Sequence, residues 1–399
     1  MLTSYVLYPQ YTAFCERKGR MASDMLQHFD FYGKIKLRFI FVQEGNIMRK
    51  VFKGIGIFLL VVVLAAAGFI GYLTVTEFRP EDEETLAVVS GTGETLHAGD
   101  SLRIMTFNTG YAGLDAAEDF FMDGGTMSRP EGGTEKVQSN MEAILSAIKA
   151  ENAQIVLLQE VDQDASRSGF QDQTVYYQSG TGMASAFALN YRCNYVPYPI
   201  PPIGKVKSGI MTLTAYEPTE ATRQSLPVPF SWPIRVANLK RCLLVERIPV
   251  EGTDKELVVV NLHLEAYDDG EGKAAQTQQL YSFIKNEYDK GNYVIAGGDF
   301  NQTFSNVQHI GGSWEGKWTP GLLDEVDLPE GITLVYDDAT PTCRSLDQRY
   351  TGDREQHVFY IIDGFLVSGN VQVEDVHTVD LDFAASDHNP VVLQVTLAE

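Results

Sequence analysis

Cysteine is scarce. Four occur in 399 residues (Cys15, Cys193, Cys242 and Cys343), none in a CxxC spacing, which excludes a zinc knuckle and a disulfide framework. Cys242 lies in an apolar run with the pattern of a core strand, so only a single Cys193 to Cys343 bridge stays open. Positive charge is also short: 31 Lys and Arg stand against 53 Asp and Glu, a net charge of −22. The deficit is uneven, because residues 1–76 carry nine basic and four acidic side chains and leave −27 from Glu77 onward. Such a domain repels polyanions over most of its surface, which disfavours extended duplex DNA as a partner and keeps the chain soluble. There is no internal repeat, and no wedge of Arg and aromatic residues of the kind that grips bent DNA. What remains is ordinary for a folded protein, 44% hydrophobic and 21% charged, and long enough for one large globular unit with appendages.

One stretch lacks charge altogether. Residues 54–76, GIGIFLLVVVLAAAGFIGYLTVT, are long enough to cross a bilayer and have no polar face. Arg49, Lys50 and Lys53 precede them, while Glu77 and the run from Glu81 to Glu84 follow. The positive-inside bias predicts a single-pass cell-membrane protein whose C-terminal domain lies outside the cytoplasm. Ala65-Ala66-Ala67 could serve as a cleavage site, but apolar and neutral residues continue past it, which favours an uncleaved anchor. Residues 1–47 have no sustained period, and Met48-Arg49-Lys50 would make an ordinary start. Codons for Gln43-Glu44-Gly45 can contain a purine-rich ribosome-binding sequence, so a bacterial gene starting at Met48 is expected, with 1–47 a misassigned extension. The expected organisation is then 48–76 as basic flank and anchor, 77–100 as an acidic Gly/Thr-rich tether, and 101–399 as the folded domain.

Within that domain, LRIMTFN (102–108) reads as a strand and 110–133 as a long acidic surface loop. Thr134 opens a helix with Val137, Met141, Leu145 and Ile148 on one face, followed by the buried strand QIVLLQE (154–160). The stretch 161–233 is irregular apart from a strand over 208–216. Residues 238–250 and 255–267 flank a turn and predict a hairpin, and 272–290 an amphipathic helix. Strands at 293–296, 357–368, 371–379 and 386–397 complete a mixed-sheet α/β sandwich.

The tips of these strands carry polar residues: Asn108, Glu160, His263, Asp299, Asn301, Asp363, Asp387 and His388. A buried strand needs no acid or imidazole at its tip for folding, so their recurrence points to a shared site. Gly297-Gly298 before Asp299 would let the backbone approach something closely, and ligands in α/β sheets favour such strand ends. Taken in order, TFN (106–108), QE (159–160), NLHL (261–264), GGDFN (297–301), IDG (362–364) and SDHNP (386–390) resemble the motifs of the endonuclease/exonuclease/phosphatase superfamily. The resemblance covers residues 101–397. It implies a four-layered, DNase I-like α/β sandwich of two packed mixed sheets, and a divalent-metal phosphoesterase acting on a phosphate-ester substrate.

The same resemblance assigns roles. Glu160, with Asn108 and Asp387, offers hard oxygen ligands suited to Mg²⁺ or Mn²⁺. Asp299 activates or holds the attacking water, with Asn301 orienting it. Asp363 fixes His388, and His388 and His263 donate hydrogen bonds to the phosphoryl oxygens. Lys240 and Arg241 could grip phosphate or form a solvated pair. The acidity and the acidic loop after Asn108 favour a small or lipid-linked phosphate over nucleic acid. An anchored extracellular nuclease is the enzymatic alternative and a catalytically idle binding domain the other; no protein partner is predicted.

Overall fold

A computed structural model of the chain describes residues 34, 36, 47–91, 93–268, 270–308 and 310–399. The expected extension, except residues 34, 36 and 47, lies outside the described residues. The chain divides into two units, Met1–Gly71 and Tyr72–Glu399. A helix over Ile47–Val75 (α1) is long and apolar enough to cross a membrane, and protein buries none of its most apolar window.

The second unit opens with three short strands, β1 (Glu83–Thr85), β2 (Val88–Val89) and β3 (Leu96–His97). Next come β4 (Ser101–Asn108), the helix α2 (Gly133–Glu151), β5 (Ile155–Asp162) and α3 (Gln173–Thr181). The strands β6 (Ala184–Val196), β7 (Gly204–Thr214), β8 (Glu220–Ser225), β9 (Cys242–Glu251) and β10 (Glu256–His263) follow. α4 (Glu271–Asp289) leads into β11 (Tyr293–Asp299), then β12 (Gln302–Phe304), β13 (Ile310–Gly311), β14 (Gly321–Leu323) and β15 (Ile332–Val335). The chain ends through β16 (Cys343–Arg344), β17 (Val358–Tyr360), β18 (Asp363–Ser368), β19 (Val371–Thr378) and β20 (Val391–Leu397).

Two mixed sheets result. One is ordered β1-β8-β9-β10-β11-β18-β15 with β3 added beside β9, the other β19-β20-β4-β5-β7-β6-β2. Alternation along each strand divides its side chains between two cores. Ile155 and Leu157 of β5 join Val259, Ile295 and Phe365 between the sheets. Val156 and Leu158 turn outward onto Val137, Met141 and Ile144 of α2, while Val294 and Ala296 of β11 meet Leu280 and Ile284 of α4. The layers are therefore helix, sheet, sheet, helix, as expected. Each fully buried aliphatic or Phe side chain adds roughly 1.5–3 kcal/mol.

A polar tie also spans the two sheets. Gln159 Nε2 donates to Asn261 Oδ1 at 2.8 Å, and Asn261 Nδ2 donates to the carbonyls of Leu158 and Met211. Two of the sequence motifs thus contribute a structural residue beside a candidate site residue.

Four expectations change. Residues 77–100 are not a solvated tether, since β1, β2 and β3 pair with β8, β6 and β9. These pairings cover sheet edges that would otherwise expose unpaired backbone groups, and Glu83 of β1 stays exposed. The irregular region after Val161 contains β6 and β8, whose small and polar residues mask a strand pattern. The run 357–368 is broken at Ile361-Ile362 into β17 and β18, which belong to different sheets. There Thr342 Oγ1 accepts from the amides of Ile362 and Asp363. Finally, α2 begins at Gly133 after Gly132, with no side-chain cap from Thr134. Cys193, Cys242 and Cys343 are all free and buried, which closes the question of a Cys193 to Cys343 bridge.

Candidate active site

Strand ends from both sheets meet at one edge of the sandwich. Asn108 ends β4 in register with Gln159 of β5. His263 ends β10 beside Asp299 of β11, which faces Asp363 of β18 on its other side. Asp387 and His388 arrive on the loop before β20, where His388 forms an isolated bridge with Cys343. All eight candidates come together here.

The Gly297-Gly298 pair is explained by packing. A Cβ on Gly298 (φ +153°) would lie 1.9 Å from the Leu262 carbonyl oxygen, and one on Gly297 would lie 2.4 Å from the Phe365 ring. The close approach expected of these glycines is made by neighbouring strands. Gly110 (φ +51°) is held to glycine by the site itself, because a Cβ would lie 2.7 Å from Asp387 Oδ1.

Asp299 is the hub. Its Oδ2 accepts from Asn108 Nδ2 at 3.0 Å across the seam between the sheets. The same oxygen lies 3.4 Å from His263 Nε2 and 3.8 Å from His388 Nε2. Its Oδ1 accepts the Asn301 backbone amide at 2.8 Å. Asn301 has φ +51° and its side-chain amide donates to the Leu264 carbonyl. It therefore fixes Asp299 and the β10 end, with its NH₂ already committed.

Burial raises the Asp299 carboxyl, and the Asp363 carboxylate raises it further against the opposing pull of His388. Burial alone would lower His388, yet the Asp363 carboxylate, 2.8 Å from His388 Nδ1, holds it well above the ordinary imidazole value. Burial pushes His263 well below that value, and the Arg241 and His388 charges add to the shift. The two imidazoles are thus driven to opposite protonation states, a cation at His388 and a neutral ring at His263.

Glu160 sits at a bulge in β5, with φ +55°, a strained conformation for a residue with a side chain. Its Oε1 is 3.4 Å from Asn108 Nδ2. Burial raises its carboxyl, the Asp387 charge adds to this, and Arg167 opposes it. Asp387 is raised by burial as well, against the lowering charges of His388 and Arg344. The Asp387 charge thus raises Glu160 within an enclosed site, and Glu160, Asp387 and Asn108 Oδ1 are hard-oxygen donors of the kind that suits Mg²⁺. Among the described residues, the acid, imidazole and thiol atoms that lie within 4.8 Å of one another form two groups, Asp299–Asp363–His388 and Cys343–Asp387–His388.

Several participants carried no sequence signal. Arg167, in the irregular stretch, forms a bidentate pair with Asp162 at 2.9 and 3.1 Å and covers the Tyr111 ring at 3.7 Å. It is a fixed cation near Glu160 whose position depends on a loop. Cys343 lies beside His388 only because β16 folds onto it. Most of the acidic loop after Asn108 turns inward: Asp115 pairs with Lys136, and Asp119 accepts from the Thr126 and Met127 amides. Asp123, which accepts from the Tyr267 hydroxyl at 2.9 Å, is pushed up to about 7 by burial and by the Asp387, Asp347 and Glu160 charges. Lys240 and Arg241 are buried, so neither alternative given for them holds in its simple form. Arg241 pairs with Glu265 and donates to the His263 carbonyl at 3.1 Å, while Lys240 lies 3.6 Å from Glu77.

The sequence pattern of the Endonuclease/Exonuclease/phosphatase family matches residues 105–388, which spans every strand tip just described. The chain belongs to this family. Its fold is shared with a solved endonuclease/exonuclease/phosphatase protein from Beutenbergia cavernae, at 18% identity and a TM-score of 0.52, covering 75% of this chain and 72% of that one. A protein of the same description from Bacteroides vulgatus gives 17% identity and a TM-score of 0.48, covering 75% and 99%. The human Nocturnin catalytic domain, solved with a bound sulfate anion, gives 16% and 0.46, covering 78% and 97%. Among curated proteins none matches this chain. The family includes phosphodiesterases, nucleases and phosphatases, generally hydrolases of phosphoesters that use divalent metals, and the candidate Asp and His groups here accord with that chemistry.

Proposed function

We propose that this family member is a membrane-anchored, extracytoplasmic phosphoesterase that uses Mg²⁺ or Mn²⁺ to hydrolyse a phosphodiester or phosphomonoester, with a small or lipid-linked phosphate as substrate. The observation that carries the reading is the Asp299 carboxylate, fixed by Asn108 and Asn301 between a neutral and a cationic imidazole. A base held in that setting suits a water-activating role.

Glu160, Asp387 and Asn108 would hold the cation. When bound, it supplies Lewis-acid polarisation of the phosphoryl group and offsets charge at the leaving oxygen. Asp299 orients the attacking water and accepts its proton. His388, kept as imidazolium by Asp363, donates to a phosphoryl oxygen as negative charge builds there. His263, with its Nδ1 buried and without a partner among the described residues, presents Nε2–H toward the same space. No covalent enzyme intermediate is needed.

The substrate preference draws on the apolar helix, which would concentrate the domain on head groups, and on the net charge of −27 from Glu77 onward. Hydrolysis of bis-p-nitrophenyl phosphate by the full chain in detergent, with Mg²⁺ or with chelator, tests the chemistry. Asp299→Ala and His388→Ala are each expected to lower turnover by at least about 10³-fold. Undiminished turnover in either variant would refute the site. A panel of phospholipids, small phosphodiesters and plasmid tests the substrate class, and cleavage of plasmid alone would favour the nuclease reading.

A further inference from the structure

The last turn of α1, from Tyr72 onward, belongs to the second unit and is bonded to it. Leu73 is buried, Trp232 Nε1 donates to Thr74 Oγ1 at 3.1 Å, and Asn194 Nδ2 donates to the Tyr72 hydroxyl at 3.0 Å. Around this junction, large apolar side chains face outward. Trp232 is 57% exposed, Ile234 64% and Val75 87%. Thr74 lies in the last turn of α1, so its bond to Trp232 holds that ring next to the end of the apolar helix. Trp is favoured at the membrane–water interface, with its ring among acyl chains and its N–H in the polar layer.

The chain on either side of this rim, at Glu77 and Arg235, opens onto a cavity of about 420 Å³ whose charged lining includes Glu77, Arg79, Asp82, Arg235, Lys240 and Arg241. The Glu77 side chain is buried in this lining, 3.0 Å from Arg79 Nε, 2.9 Å from Arg235 Nε and 3.6 Å from Lys240 Nζ. Four lining cations face the two carboxylates of Glu77 and Asp82, and Arg241 is paired with Glu265 outside the lining, which leaves one positive charge over. Arg79 and Arg235 keep 63% and 41% of their side chains open to solvent, so they can reach a second anion without leaving Glu77. In a domain otherwise strongly acidic, this cationic hollow begins at Glu77, two residues past the end of α1. Arg241 lines it and also donates to the carbonyl of His263 in the candidate active site.

We propose that this cavity binds the headgroup phosphate of an anionic bilayer phospholipid, with Trp232 and Ile234 inserted beside it. The inference rests on the membrane-anchored reading and adds to it a second bilayer contact. Arg79 and Arg235 grip the phosphate, Glu77 keeps both guanidinium groups aimed into the cavity, and the apolar rim covers the acyl chains. The domain is then held against the membrane with its catalytic edge near the lipid surface.

The test uses the full chain in nanodiscs. Brominated phosphatidylcholine should quench tryptophan fluorescence in the wild type, and the quenching should be lost in Trp232→Phe. In mixed discs of phosphatidylcholine and phosphatidylglycerol, lipid retained by the extracted protein should be enriched in phosphatidylglycerol. Each basic side chain near an anionic surface contributes about fivefold, so Arg79→Gln with Arg235→Gln should remove most of the enrichment. Trp232→Phe reports independently should the double variant fold poorly. Absence of Trp232-dependent quenching in a chain that stays in the disc overturns the proposal while leaving the anchor intact. Equal retention of the two lipids by wild type does the same. Inorganic phosphate that protects the cavity with no lipid preference overturns the lipid assignment. Release of the full chain from vesicles by alkaline carbonate removes the anchor and the proposal together.

Discussion

His388 owes its charge to one neighbour. Burial would discharge it, and the Asp363 carboxylate at 2.8 Å reverses that outcome. The raised value favours the imidazolium at neutral pH, with loss of the proton as pH climbs past it. In Asp363→Asn that loss moves to lower pH, so activity at pH 8 should fall on the order of 100-fold, with partial recovery on acidification. A pH–rate profile of the two proteins checks this, and parallel profiles would separate Asp363 from the protonation of His388. Glu246 presents the opposite case, a buried acid that the site does not use. It lies on β9 opposite Val259 and Ala221, and neither carboxyl oxygen has a partner among the described residues. Burial pushes it up to about 8. A raised carboxyl contributes stability that is fully present below 4.5 and lost as pH rises to about 8, at about 1.4 kcal/mol per unit. Glu246→Met should therefore flatten the fall in thermal stability over that window, and stabilise the protein at pH 8 by about 1–3 kcal/mol. Asp363 and His388 were legible in the sequence because each stands at the tip of an apolar run. Glu246 was not, since one acid within such a run reads equally well as a surface residue.

The β10, β11 and β18 triplet aligns three site residues through backbone register alone. His263, Asp299 and Asp363 occupy successive positions across it, so one displaced residue on any strand would separate them. Gly298 is where this alignment is most constrained, with its missing Cβ 1.9 Å from the Leu262 carbonyl and φ at +153°. Gly298→Ala should cost at least about 3 kcal/mol in denaturant unfolding and lower activity even in the fraction that stays folded. Wild-type stability in that variant would show that the two strands can part without loss. The strands themselves were readable from their apolar runs and flanking glycines. β6 and β8 were not, because small and polar residues carry much of their alternation, and β1 to β3 were not, because two or three residues are too few to show a period and their place is set by the sheet edges they cover.

As a whole, the folded domain carries an excess of acid that a soluble anionic substrate must approach. Screening should help that encounter: kcat/KM for a small anionic phosphodiester is expected to rise about two- to threefold between about 10 and 150 mM NaCl. A steep fall would mark a dominant basic approach surface and weaken the argument against polyanions. The division of the chain into an apolar helix and a mixed α/β sandwich follows from local chemistry, since an uncharged run of 23 residues and alternating apolar strands state their environments position by position. The order of polar strand tips was equally plain. Contacts between distant tips were another matter: Asn108 meets Asp299, 191 positions away, only because two sheets stack face to face with their ends level. Arg167 beside Glu160, Cys343 beside His388, and the closing of Arg79 and Arg235 around Glu77 likewise come from loops and edges brought together by packing. Pattern along a chain encodes what each residue wants around it, whereas register and stacking decide which partner supplies it.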